Sequence, residues 1–142
     1  MQASHEDGGM TDPAATEFIH AQIPLCATLG ITADTARPDE VVLSLDWAPN
    51  LCTGNDVLHG GIVMTLADSA GGVCAFLNLP DGAGGTATIE SKTNFLAAMR
   101  SGTVKAHCRP LHIGKRVIVL ETEVRGDDGK LAAKVLQTQA IL

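Results

Sequence analysis

One aspartate interrupts the most apolar stretch of the sequence. From Leu58 to Pro80 the chain reads LHGGIVMTLADSAGGVCAFLNLP, and Asp68 is its only acidic residue. A carboxylate held beside a reactive carbonyl or a water is a general base or a nucleophile. The same stretch opens with His59-Gly60-Gly61. Backbone N–H groups at a helix start have no intrahelical partner, and glycine lets a ligand approach them closely. Such donors suit an oxygen that gains negative charge. Gly60 and Asp68 are separated by roughly 12 Å of helical rise. They can act on one substrate only if it lies along the helix or spans a subunit boundary.

The elements that must position these residues follow from spacing and punctuation. At 100° per residue, Thr65, Asp68, Ser69 and Gly72 form a narrow polar or small stripe, and apolar residues fill most of the rest. This predicts a core helix from about Gly60 to Leu79, stopped by Pro80-Asp81-Gly82 and Gly84-Gly85. The stripe lacks the Lys and Glu of a solvent face, so it is expected to pack against another surface, such as a second copy, that partly desolvates Asp68. Upstream, Asp12-Pro13 opens a short helix to about Ala21, which Ile23-Pro24 ends. Strands are expected over Ile31–Arg37 and Val41–Trp47, with a polar loop over Asn50–Asp56. Downstream, alternation predicts strands over Thr86–Leu96, Gly102–Leu111, Arg116–Arg125 and Lys130–Leu142, with a hairpin turn at Gly126–Gly129. One long helix covering an antiparallel sheet is an α+β layout.

Composition narrows the function classes. The chain has 142 residues and 45% hydrophobic content, enough for one core. A net charge of −6 and scarce aromatics argue against nucleic acid as partner. The apolar stretch is broken by Asp68 and by glycines, so it reads as a core helix and not a membrane span. Residues 1–12 are polar and acidic and read as a flexible tail, leaving residues 13–142 as a single domain. Cys26, Cys52, Cys74 and Cys108 form no CxxC pair, which fits reduced buried thiols in a cytoplasmic protein and no metal site. From Ser91 to Leu120 there is no acidic residue, while Lys92, Arg100, Lys105, Arg109, Lys115 and Arg116 fall there, with His107 and His112. Chance clustering on exposed strands and an anion site are both open from the pattern alone.

The run HGG-x₄-L-A-D-S-A, followed by an alternating strand ending in Asn-Phe, resembles the PaaI-type acyl-CoA thioesterases of the hotdog fold, relatives of 4-hydroxybenzoyl-CoA thioesterase. The resemblance spans about Ile23 to Leu142. It implies a sheet wrapped round the central helix, an acyl-CoA substrate with coenzyme A as part of that substrate and no separate cofactor, and a homodimer that pairs into a tetramer. It implies that Asp68 is general base or nucleophile and that the Gly60 N–H polarises the thioester carbonyl. It further implies that His59 orients the loop before Gly61 and that Thr88 helps to place water, often across the subunit boundary. Gly61, Glu90, Phe95 and the turn segment His112-Ile113-Gly114-Lys115-Arg116 fall where relatives contact the ligand, and phosphates suit Lys, Arg and backbone N–H groups. The sequence departs from the family at Thr53, six residues before the histidine, where an amide is usual; Asn55 or Asn50 are the other candidates. Two further readings are a hydroxyacyl-thioester dehydratase or hydratase, and a non-catalytic acyl-CoA binding module.

Overall fold

A computed structural model describes residues 11–142. Helix α1 (Pro13–Gln22) is capped by Asp12, whose Oδ1 accepts from the Ala15 N–H at 3.1 Å. Most of the tail expected over residues 1–12 lies outside the described residues; Asp12 belongs to the fold, its N–H donating to Ala33 O at 2.7 Å. Pro24 does more than end α1. It occupies the first turn of a second helix, α2 (Pro24–Leu29), where a missing N–H costs nothing, and Gly30 closes that helix at φ 71°.

The strands are β1 (Thr32–Arg37), β2 (Glu40–Asp46), β3 (Thr86–Phe95), β4 (Thr103–Ile113), β5 (Val117–Arg125) and β6 (Leu131–Ile141). Two short 3₁₀ turns, Pro49–Leu51 and Gly54–Asp56, fill the expected loop. The sheet runs β1-β2-β4-β5-β6-β3, antiparallel at every pairing. It curls around α3 (Gly60–Leu77), the hotdog arrangement. β4 continues past the expected end at Leu111, because Pro110 lies beyond its pairing with β2, where no ladder bond needs its N–H.

The core lies between α3 and the inner face of the sheet. Val63, Leu66, Ala67, Ala70, Val73 and Cys74 on α3 meet Leu43, Val104, Ala106, Ile118, Leu120, Val124, Ala133 and Val135. Each fully buried Leu or Ile contributes about 2 kcal/mol. By length and composition α3 could cross a membrane, but half of it is buried inside the protein. Its exposed line differs from the expected stripe. Ser69 is buried, and Met64 and Phe76 join Asp68 at the surface, so the line mixes one carboxylate with large apolar side chains.

All four cysteines are free. Burial pushes the Cys26 thiol up, which keeps it protonated and unreactive. On the outer face of the sheet Lys105 pairs with Asp34 at 2.8 Å and Arg109 with Glu40 at 3.5 Å. Burial holds the His107 imidazole below the ordinary histidine range, so it stays neutral near pH 7. Part of the basic segment is therefore spent within the fold.

Candidate active site

The entry to α3 is built by its own first residues. His59 is the N-cap, and its Nδ1 accepts from the Gly61 N–H at 2.8 Å. A Cβ on Gly61 would stand 3.0 Å from that ring nitrogen, so glycine is what lets the imidazole fold back. The His59 carbonyl accepts from Ile62 and Val63. The Gly60 N–H is left with no partner among the described residues. The cap thus consumes one donor and leaves the neighbouring one free. His59→Ala removes an acceptor on an exposed side chain, and urea denaturation should show a loss of about 1 kcal/mol.

Two turns along α3, Asp68 is exposed in the single protomer, on a face left open for the second surface that the stripe predicts. Its Oδ1 accepts from Thr88 Oγ1 at 3.2 Å on β3 and from Gln137 Nε2 at 2.6 Å on β6. Oδ2 has no partner. Thr88 Oγ1 in turn accepts from Gln139 Nε2 at 2.6 Å, and Gln139 Oε1 accepts from Thr86 Oγ1 at 2.9 Å. The Thr88 hydroxyl therefore meets Asp68 within one chain, and its proton is committed to the carboxylate. Gln137 and Gln139, each 1% exposed, are the residues that the sequence reading passed over. Their parity with Ala133 and Val135 on one strand was the available signal.

A bulge between Thr88 and Glu90 controls which β3 side chains face α3. Thr88 and Phe95 are seven residues apart and would point to opposite faces of a regular strand. The extra residue at the bulge resets the alternation, so that Thr88 stands opposite Gln139 and Phe95 opposite Ala133, both on the inner face. Glu90 pairs with Thr138 on the other face, away from Asp68 and Gly60.

Phe95 packs over the helix start: a Cβ on Gly60 would lie 3.1 Å from its ring. Gly60, Thr53, Val57, Leu58, Val63, Phe95 and Met99 line a largely apolar cleft of about 380 Å³. Asn55 is outside that lining and sits in the left-handed region at φ 60°. Within one chain the expected residues thus fall into two groups at opposite ends of β3, roughly 20 Å apart along the strand. Gly60, Phe95 and Thr53 are at one end, and Asp68 and Thr88 at the other.

The basic turn belongs to the Asp68 end. His112 and Ile113 finish β4, leaving Gly114-Lys115-Arg116 as the turn itself, closed by Gly114 N–H to Val117 O at 2.9 Å. Ile113, Ile118, Gln139 and Thr88 stand in one cross-strand row. Lys115 and Arg116 are exposed and form no ion pair among the described residues.

Comparison with known proteins gives a consistent set. Residues 55–133 match the family model of the thioesterase superfamily. A protein of Saccharolobus solfataricus, provisionally named an esterase, is 38% identical over 135 residues, covering 94% of this chain and 95% of its own length. The 1,4-dihydroxy-2-naphthoyl-CoA hydrolase of Escherichia coli is 35% identical over 86 residues, 61% of this chain and 62% of its own. A mutant thioesterase from Pseudomonas aeruginosa superposes with a TM-score of 0.83 at 26% identity, over 92% of this chain and 96% of that one.

Proposed function

This chain belongs to the thioesterase superfamily and is a thioester hydrolase, and from that premise we propose that it cleaves acyl-CoA to a free acid and coenzyme A at a site shared by two copies. The observation that carries the reading is Asp68: an exposed carboxylate held on Oδ1 from within the protomer, with Oδ2 open to a ligand. Asp68 takes the proton of a water as the water oxygen bonds to the thioester carbon. The carbonyl oxygen gains negative charge and is met by the Gly60 N–H. The C–S bond then breaks, and the proton passes to the departing thiolate.

A shared site follows from distance. Gly60 N–H and Asp68 on one helix are about 12 Å apart, too far to meet at one carbonyl. β3 is an edge strand with Ile89 60% exposed, and Met64 is exposed on α3 one turn before Asp68. An uncovered apolar edge favours pairing with another chain. A second copy paired antiparallel along β3 would bring its Gly60 and Phe95 beside the first copy's Asp68 and Thr88, and two-fold symmetry makes two such sites. Pairing of these dimers into a tetramer belongs to the same reading.

The acyl group then enters the apolar cleft at Gly60, with Thr53 supplying a hydroxyl where an amide is usual. Lys115 and Arg116 bind the phosphates of coenzyme A. Four free cysteines suit a cytoplasmic setting. His59 spends Nδ1 on the helix cap, which disfavours the hydratase reading.

The test is a thiol-release assay across acetyl-, octanoyl-, palmitoyl-, benzoyl- and 1,4-dihydroxy-2-naphthoyl-CoA. At least one is expected to reach a kcat/KM of about 10⁴ M⁻¹s⁻¹. Hydration of an enoyl-CoA without thiol release would overturn the assignment.

A further inference from the structure

Resting on the proposed role of Asp68, we infer that Gln137 is a positioning residue for that carboxylate, reaching it through a notch in α3 made by Gly71. Three observations carry this. Gln137 is 1% exposed, on a strand beneath the helix, yet its Nε2 donates to the exposed Asp68 at 2.6 Å. Its carboxamide occupies the space that a side chain at Gly71 would need: a Cβ there would lie 2.7 Å from Gln137 Cδ and overlap Oε1. Finally, Gln137 Oε1 is buried with no hydrogen-bond partner among the described residues.

The last two features weaken the fold. Glycine inside a helix lowers its stability relative to alanine, and a buried carbonyl oxygen without a donor is unfavourable. A residue retained for packing would avoid both. What the arrangement gains is an amide donor aimed outward at Oδ1. Thr88 donates to the same oxygen at 3.2 Å, so the two bonds fix the carboxylate plane and leave Oδ2 facing the substrate side. A base held in one orientation meets its proton more often than one free to rotate.

The inference separates from a packing role by the direction of two readouts. Gln137→Met keeps the volume and removes the unpartnered oxygen. It is expected to lower kcat on the best acyl-CoA roughly 10-fold or more, with KM within about twofold, while the melting temperature holds or rises. Gly71→Ala should lower kcat similarly, because its methyl displaces the carboxamide. In a Gln137→Ala background, Gly71→Ala should cost nothing further in kcat.

Wild-type kcat in Gln137→Met overturns the inference, as does a loss of kcat that only tracks a lowered melting temperature. Multiplying effects in the double variant would also overturn it. Asp68→Asn run alongside distinguishes the two levels. Full activity in that variant removes the base assignment and this inference with it. An inactive Asp68→Asn beside a fully active Gln137→Met removes the inference alone.

Discussion

Asp68→Asn is expected to lower kcat by about 10³-fold with KM nearly unchanged, in the range that loss of a general base produces. Asparagine is the informative substitution because of what surrounds the side chain. Its Oδ1 can still accept from Thr88 and Gln137, so the buried Gln137 amide keeps a partner. Alanine would leave that amide only its long 3.4 Å bond to Thr88 Oγ1, weakening the fold by about 1 kcal/mol or more and mixing a folding defect with a chemical one. Asp68 is exposed in the protomer, so the melting temperature of Asp68→Asn should stay within about 3 °C of wild type. Residual turnover from the oxyanion donor and substrate binding should remain above the rate in water. Thiol-release kinetics and a thermal melt on the same preparation check both parts. Turnover within tenfold of wild type would remove Asp68 from the chemistry.

The main elements were legible because their signals were local. The apolar spacing from Ile62 to Leu77 has room for one face against a sheet, and Gly126–Gly129 can only be a turn between two alternating runs. Pro24 was read only as the end of α1, because a residue that ends one helix can also begin another, and whether it does depends on where the next turn packs. The bulge at Ile89 left no mark at all, since its effect lies in the pairing of β3 with β6. Yet it decides that Thr88 and Phe95 share a face and that Glu90 does not. Asp68 and Gly60 stood out as candidates from residue type and spacing. Gln137 was not, because a glutamine in a strand reads as solvent-facing until the strand is known to be covered. Gly71 likewise reads as a small residue in a helix until the carboxamide filling its missing side chain is seen. Local sequence names the candidate reactive groups, whereas the side chains that hydrogen-bond to them come from distant strands and appear only with the topology.

Gly60→Pro is expected to lower kcat by about 10²–10³-fold by deleting one N–H. Gly60 is the first residue of α3, where proline is favoured and an N–H has no helical partner. His59 already has φ −61° and ψ 133°, a conformation that a residue before proline adopts readily. Gly60→Ala is the control. It keeps the N–H and brings its own contact with the exposed Phe95 ring, which can shift, so it should stay within about fivefold of wild type. The gap between alanine and proline then measures the N–H. Combined with Asp68→Asn, the proline variant also decides whether the site is shared. In an equal, refolded mixture of the two inactive chains, random pairing makes about half of the dimers mixed. Each mixed dimer joins the intact Asp68 of one chain to the intact Gly60 of the other at one of its two sites, so about a quarter of wild-type activity should return. If each chain worked alone, every chain in the mixture would carry a lesion and nothing would return. No recovery in a mixture shown by differential tagging to contain mixed dimers would therefore exclude the shared site, whatever the single variants do.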